Sequence, residues 1–165
     1  MSKFRIEYKS GDIFASFNRE EFFILVHYAN SLSVNRAKKL YFAGETEYIY
    51  RFENGLPLGG LDFYESNQPH WNTVDLKDVV SFIDMELLPQ LQNLTNENLI
   101  SALGGWSVLK SVIDQGPSYT HRFGIVSDDG LFEEIYEYIY LVNSLKEIIV
   151  NSLILGQPYS INYIE

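Results

Sequence analysis

The segment LFEEIYEYIYLVNSLKEIIVNSLIL, residues 131–155, constrains the fold more than any other part of the sequence. Its apolar residues recur at intervals of three and four, the spacing that places side chains on one face of an α-helix. These positions are Leu131, Ile135, Ile139, Val142, Leu145, Ile149 and Leu153. At ~1.5 Å per residue such a helix is about 37 Å long. The pattern therefore predicts one long helix close to the end of the chain.

Residues on both sides of this segment are typical of helix termini. Asp128 and Asp129 are candidate caps, because their carboxylates can accept hydrogen bonds from the first backbone N–H groups of the helix. Glu133 and Glu134 lie in the first turn, where the helix dipole favours negative charge. Gly156 follows the last turn, a position at which glycine often ends a helix. The sequence thus predicts both ends of the helix.

Upstream of the long helix, strand patterns and helix patterns both occur. Strands are predicted at residues 3–9, 13–17, 46–53, 61–65, 119–126 and 159–164. Shorter helices are predicted at about 19–31, 35–43, 74–91, 95–103 and 106–113. Pro89 lies inside the third of these helices and predicts a kink or a break. We therefore expect a single α+β domain over residues 1–165. Its antiparallel or mixed sheet should have roughly five to six strands, packed with about five helices that include the long one at about 131–155.

The tetrapeptide EYIY occurs twice, in ETEYIYRFE and in EEIYEYIYLV. In the first copy aromatic residues alternate with other residues and Asn54-Gly55 follows, a strong signal for a hairpin turn, so this copy is predicted to be a strand. The second copy lies within the long helical pattern. One copy in a strand and one in a helix would not be a structural repeat.

Cysteine is absent from the sequence. This excludes disulfides, thiolate metal sites and a cysteine nucleophile. The N-terminal residues do not have the pattern of a secretory signal, and no uncharged apolar run approaches the ~18 residues of a membrane span. We therefore expect a cytoplasmic protein.

The chain carries a formal net charge of −10. Residues 1–40 contain seven of the basic residues against four of the acidic ones, whereas residues 41–165 contain five against eighteen. A field of this sign repels nucleic acid and anionic lipid and attracts basic partners. It therefore argues against binding to nucleic acid or membrane. A solubility role for the acidic residues would give a similar composition.

The sequence contains little that is typical of an enzyme. It lacks the common phosphate, dinucleotide, zinc, di-iron and serine-hydrolase motifs, and no metal or cofactor is expected. Of its three histidines, His27 falls in a predicted apolar helix and is expected in the core, and His70 falls in a polar loop beside Trp71. His121, in PSYTHRFG, is the best catalytic candidate. Its alternation with neighbouring aromatic residues also fits an ordinary strand.

Two groups of tyrosines and carboxylates are candidates for binding a partner. Tyrosine combines a large rigid ring with a polar tip and is enriched at interfaces. The first group lies on the long helix opposite its apolar stripe or just ahead of it: Asp128, Asp129, Glu133, Glu134, Tyr136, Glu137 and Tyr140. The second belongs to the first EYIY: Glu47, Tyr48, Tyr50 and Glu53. Packing of these tyrosines against neighbouring elements is the alternative in both cases.

These features favour an acidic protein-binding module over an enzyme. The function that fits best is an inhibitor or immunity protein, which neutralises a basic, nuclease-type toxin by covering its active surface. Charge complementarity is the physical reason, because a nuclease needs a basic cleft and an acidic domain associates with such a cleft quickly. Two alternatives stay open: a small enzyme that uses His121 with a carboxylate, and an adaptor or subunit of a larger assembly.

Overall fold

The computed structural model describes residues 5–60, 67–115 and 134–164. Its strands and helices follow one another as β1 (Arg5–Ser10), β2 (Ile13–Asn18), α1 (Arg19–Leu32), α2 (Val34–Ala43), α3 (Glu47–Glu53), α4 (Thr73–Phe82, Ile83–Leu87 and Leu88–Asn93), α5 (Leu99–Ala102), α6 (Trp106–Gln115), α7 (Ile135–Leu155) and β3 (Ser160–Ile164). The predicted α+β class is confirmed.

The sheet is antiparallel and has the strand order β2-β1-β3. A two-residue turn closes the β1–β2 hairpin, and Gly11 has a φ of 56° at the first turn position. Glycine is preferred there because type II′ turns need a positive φ at this position. Along β1, Ile6 and Tyr8 are buried in the core whereas Arg5 and Lys9 are exposed. The predicted hairpin is therefore confirmed, with one apolar face and one polar face.

The prediction of five to six strands is wrong for the part of the chain that the structure describes, which contains three. The predicted strands at 3–9, 13–17 and 159–164 correspond to β1, β2 and β3. The segment predicted as a strand at 46–53 is helical instead. The strands predicted at 61–65 and 119–126 lie outside the described residues.

The first EYIY belongs to helix α3, so its prediction as a strand is wrong. The Thr46 side chain caps the helix by accepting a hydrogen bond from the backbone N–H of Ile49, at 3.4 Å. The Asn-Gly pair that predicted a hairpin turn ends the helix instead, with Gly55 at a φ of 66°. Leu56 N–H donates to the carbonyl of Arg51 at 2.8 Å, the long hydrogen bond of a Schellman motif. An Asn-Gly pair is compatible both with a hairpin turn and with the end of a helix. Here the hydrogen bonds at the two ends of α3 favour the helix.

Helix α4 passes through Pro89 without ending. The five residues ahead of its last segment form a π-helical turn, in which Leu88 N–H donates to the carbonyl of Ile83 five residues back. Proline lacks an N–H and disrupts regular α-helical hydrogen bonding, and a π-helical turn changes the pairing locally. The predicted disturbance is therefore a change of helix type rather than a break.

The two short helices after α4 differ in how well they were predicted. Helix α6 agrees with the prediction at 106–113. Helix α5 begins later than predicted, because the side chain of Asn98 caps it by accepting a hydrogen bond from Ser101 N–H at 2.9 Å. The cap chosen from the sequence, Thr95, lies before this helix.

Helices α1 and α2 lie where they were predicted, and the cations of α2 face carboxylates of α4. Lys39 Nζ lies 3.0 Å from Asp78 Oδ2, and Arg36 Nη1 lies 3.0 Å from Glu86 Oε1. Part of the basic first quarter of the chain is therefore paired with the acidic remainder. These cations do not form a separate basic patch.

A buried carboxylate joins α1 to the sheet. Glu45 is fully buried, and its Oε1 accepts hydrogen bonds from Arg19 at 3.1 and 3.3 Å. The phenol of Tyr163 donates to its other oxygen. Burial raises the pKa of Glu45, and the charge of Arg19 opposes that rise. A charge removed from water in this way needs both partners to persist in the core.

The C-terminal end of α2 is held by two buried phenols. Tyr8 donates to the carbonyl of Gly44 at 2.7 Å, and Tyr159 donates to the carbonyl of Ala43 at 2.5 Å. Gly44 also lies against a ring of the core, because a Cβ atom built there would be 2.3 Å from Phe22 Cζ. Side chains of β1 and of the residue just before β3 thus fix the end of α2, rather than backbone pairing.

Helix α7 confirms the predicted long C-terminal helix, although its first residue is Ile135 and its cap is Glu134. The backbone N–H of Glu134 donates to Glu137 Oε2 at 3.1 Å, as in a capping box. The candidate caps Asp128 and Asp129 lie outside the described residues. Gly156 ends the helix in the left-handed conformation, as predicted.

The buried face of α7 packs against β1, β2, α4 and α1. It includes Tyr138, Leu141 and Leu145, which have almost no exposed surface. Among the described residues, α7 is the one helix long and apolar enough to cross a membrane by length and composition, a test that core helices of soluble proteins also pass.

Candidate partner-binding groove

A cleft of about 550 Å³ lies between strand β2 and the first half of helix α7. Its walls come from the hairpin, from the start of α1 and from α7. The lining residues are Arg5, Phe14, Ala15, Ser16, Phe17, Asn18, Glu21, Tyr136, Glu137, Tyr140, Leu141 and Ser144. Three residues of the first predicted binding face, Tyr136, Glu137 and Tyr140, are thus brought together in one cleft.

A second cleft of about 240 Å³ continues along the same two elements. It is lined by Ile13, Lys146, Glu147, Val150, Asn151 and Ile154. Since β2 and α7 line both clefts, we treat them as one feature and call it the β2–α7 groove. Asn18 and Tyr136 lie at one end of this groove, and Ile13 and Ile154 lie at the other.

Four large apolar side chains are exposed along the groove. Phe14 is 59% exposed, Tyr136 66%, Tyr140 74% and Ile154 77%. Isolated exposed apolar residues are common on protein surfaces, but several that share one concave surface are typical of interaction sites. Exposure of Tyr136 and Tyr140 agrees with the predicted face of the helix, whereas Tyr138 between them is buried.

Phe14 is exposed because of the register of the hairpin. The two-residue turn pairs Phe14 with Lys9, so Phe14 lies on the polar face of the sheet beside charged residues of β1. Its neighbours Ala15 and Phe17 are buried. An apolar side chain at a polar position of a strand was the sequence signal that identifies this wall of the groove.

Two carboxylates lie at the Tyr136 end of the groove. Glu21 is almost fully buried and accepts a hydrogen bond from Asn18 Nδ2 at 3.3 Å. Glu137 is the carboxylate bonded to the cap of α7. Burial, and to a lesser extent the charges of Glu21 and Glu137, raise the pKa of the nearby Tyr138 phenol. Two carboxylates and one guanidinium, that of Arg5, are thus among the described residues that line this cleft.

Arg5 is the one cation among the described residues that line this part of the groove. Its Nε and Nη2 donate to Ser16, to the side-chain oxygen at 3.2 Å and to the carbonyl at 3.0 Å. Its Nη1 donates to Asn18 Oδ1 at 3.1 Å. The guanidinium is thus held across β2 by neutral oxygens.

The second predicted binding group lies in α3 and is divided between two faces. Tyr50 stacks on His70 with ring centroids 3.6 Å apart, and Glu47 Oε2 lies 2.8 Å from His70 Nδ1. Arg51 donates to the other oxygen of Glu47 at 2.9 Å. Tyr48 is exposed on another face of this helix. The strand interpretation, which placed Tyr48 and Tyr50 on one side, is therefore wrong.

The Glu47–His70 pair holds the loop after residue 66 against α3. Backbone bonding acts in the same direction, because Glu47 N–H donates to the carbonyl of Gln68 at 2.7 Å. A cleft of about 250 Å³ beside the pair is also lined by Arg51, Pro69 and Trp71. Anchoring of the loop accounts for these contacts. Glu53 belongs to the same helix, at its C-terminal end.

The remaining predicted residues divide into two sets. His27 is buried in α1, as expected, and burial lowers its pKa to about 4. His121, Asp128, Asp129 and Glu133 lie outside the described residues. Sequence reasoning missed Arg5, Phe14 and Glu21, which reach the groove only because the hairpin and α1 pack beside α7.

Comparison of the chain with protein-family models, with curated proteins and with solved structures gave no match.

Proposed function

We propose that this protein is a binding module for a basic protein, and that the β2–α7 groove is its docking surface. Within that class we propose an inhibitor of the immunity-protein type, which covers the active surface of a nuclease-type toxin in the cytoplasm. The observation that carries the proposal is the meeting of Tyr136, Tyr140 and Phe14, all exposed, with the carboxylates of Glu21 and Glu137 in one cleft.

The chemistry of the groove suits a cationic partner with long side chains. An arginine guanidinium can stack on a tyrosine ring and also bond a carboxylate in a bidentate manner. The groove offers both groups close together, with the rings of Tyr136 and Tyr140 on the same helix as Glu137. The overall charge of −10 adds a long-range attraction that accelerates encounter.

Inhibition requires only occlusion. A nuclease must keep a basic cleft open to grip its substrate, and a domain bound over that cleft excludes nucleic acid sterically and competes for the same cations. No chemical step by the inhibitor is needed, so this proposal assigns no catalytic residue to the chain.

The apolar end of the groove also supports the alternative of a subunit in a stable assembly. Ile13, Val150 and Ile154 form an apolar wall there, beside Lys146 and Glu147, which a permanent partner would bury. Ionic strength separates the two functions. An electrostatically steered inhibitor loses association rate as salt rises, whereas an apolar assembly responds little.

The experiment is a pull-down from lysate of the host of origin, with the tagged protein as bait and washes at low and then high salt. We expect one basic protein that is identified by mass spectrometry and elutes as salt rises. Its nuclease or toxic activity should disappear on addition of the purified bait. Recovery of the bait alone, or of a partner whose activity persists in the complex, would contradict the inhibitor function.

A further inference from the structure

We propose that the partner contributes an extended basic segment which pairs with the outer edge of β2 as an additional antiparallel or parallel strand, with side chains in the β2–α7 groove. This inference rests on the proposed function and specifies how the partner is held. Three observations support it. Backbone groups of β2 point outward, the β3 edge has a backbone hydrogen bond to a loop that the β2 edge lacks among the described residues, and suitable side chains flank the β2 edge.

The hairpin register determines which backbone groups of β2 point outward. A two-residue turn requires the pair that closes it, Ser10 and Ile13, to be hydrogen-bonded to each other. In an antiparallel pair the bonded positions then alternate, so Ala15 bonds to β1 and the N–H and carbonyl groups of Phe14 and Ser16 point away from it. Within residues 5–60, 67–115 and 134–164, no strand pairs with that edge.

The opposite edge of the sheet, formed by β3, differs from the β2 edge in a way that supports strand addition at β2. The same alternation directs the N–H of Ile161 in β3 away from β1. This N–H donates to the carbonyl of Asn67 at 2.7 Å, so the loop covers the β3 edge. On the β2 edge, the carbonyl of Ser16 accepts a hydrogen bond from a side chain, that of Arg5 through its Nη2. An edge without a backbone partner is a template for an incoming strand.

The side chains beside the β2 edge favour a segment with cationic residues. A strand added there would run between Phe14 and the rings of Tyr136 and Tyr140. Every second side chain of that strand would point toward α7. Near the Asn18 end, those side chains would approach the carboxylates of Glu21 and Glu137, which suit lysine or arginine. Near the Ile13 end they would meet Ile13, Val150 and Ile154, which suit an aliphatic residue.

The test uses random 12-residue peptides displayed on phage and selected against the full-length protein. We expect enrichment of peptides with basic residues at alternate positions. A synthetic copy of an enriched peptide should bind Ser16→Pro about tenfold more weakly than Ser16→Ala, because proline removes the outward N–H and places a ring on the edge. Both variants lose the bond from Arg5 Nε to the Ser16 hydroxyl, so Ser16→Ala is the matched control.

Proline is tolerated on an edge strand where its missing N–H faces away from the sheet, and thermal unfolding should show that Ser16→Pro is folded. Hydrogen exchange of the unmodified protein gives a second measurement. The amides of Phe14 and Ser16 should exchange rapidly in the free protein and become protected when the selected peptide binds. Strand addition would be overturned if the peptide bound Ser16→Pro and Ser16→Ala with equal affinity and the two amides stayed unprotected. Failure to enrich any peptide would overturn it as well.

Failure of this inference can be distinguished from failure of the proposed function. If enriched peptides lose affinity for Tyr136→Ala/Tyr140→Ala but not for Ser16→Pro, the groove binds its partner without strand pairing and the function stands. If a dimer forms in sedimentation experiments and is abolished by Ser16→Pro, a second copy occupies the edge and the inference is wrong. If affinity depends on neither the edge nor the tyrosines, the groove is not the binding site.

Discussion

Acidification should destabilise this protein through one buried imidazole, that of His27. The side chain is 3% exposed in helix α1, and burial lowers its pKa from 6.5 to about 4. The folded protein therefore resists protonation of His27, while the unfolded chain accepts a proton at the ordinary pKa. The contribution of His27 to the free energy of unfolding is therefore fully present above pH ~6.5. It is lost as the pH falls toward 4, because the unfolded state then binds more protons than the folded state.

The size of the effect follows from the two pKa values. Each tenfold difference in proton affinity is worth about 1.4 kcal/mol, so the full effect is about 3 kcal/mol, most of which should be lost between pH 7.5 and pH 4.5. That amount is a large fraction of the total stability of an ordinary domain. Glutamates and aspartates also titrate over this range, so the wild type alone cannot isolate the histidine.

A comparison with His27→Leu isolates it. Urea unfolding followed by circular dichroism at pH 7.5, 6.5, 5.5 and 4.5 gives the free energy of unfolding of both proteins, and all other groups titrate similarly in the two. The wild type should lose about 2–3 kcal/mol relative to the variant across this range, whatever their difference at pH 7.5. Stability curves that run parallel, within about 0.5 kcal/mol, would refute the assignment of a neutral buried His27.

Two further predictions concern the core around the end of α2. Gly44→Ala should lower the free energy of unfolding by about 1–3 kcal/mol, because its Cβ would overlap the ring of Phe22. Gly59 has open space and no positive φ, so Gly59→Ala should change the free energy of unfolding by less than about 0.5 kcal/mol. Equal thermal shifts in the two variants would contradict the contact between Gly44 and Phe22. Arg19→Ala should lower the free energy of unfolding in chemical denaturation by at least about 2 kcal/mol, because it leaves the carboxylate of Glu45 buried without its cation. This loss should be smaller when Glu45 is also replaced by glutamine. Additive effects of the two changes would contradict the pairing.

Elements with complete local signals were predicted correctly. The hairpin around Gly11, helices α1 and α2 and the long helix α7 each combine an unambiguous period with a recognisable end. The first EYIY failed because seven residues are too few to separate a period of two from one of 3.6, and because Asn54-Gly55 serves both hairpin turns and helix ends. Hydrogen bonds at both ends of α3 decide its structure, and these depend on its neighbours.

Of the candidate site, the residues on α7 could be predicted from the sequence, whereas those on the opposite wall could not. Helical spacing alone separates Tyr136 and Tyr140 from the buried side of α7. The opposite wall of the groove comes from Phe14 and Glu21, which are more than 100 residues away in sequence. Bringing them to α7 is a result of tertiary packing, and a single sequence carries little information on such pairs.

The measurement that tests the central claim most directly is the affinity of the captured basic partner for three variants. Tyr136→Ala/Tyr140→Ala should raise the Kd by at least about 100-fold, since tyrosines at the centre of an interface each contribute about 2 kcal/mol. Tyr48→Ala, an exposed tyrosine of α3 outside the groove, should leave the Kd unchanged. Glu137→Gln, which can keep the bond to the helix cap, should mainly slow association at low salt. Unchanged affinity of the Tyr136/Tyr140 variant, or a loss confined to Tyr48→Ala, would show that the partner does not bind in the β2–α7 groove.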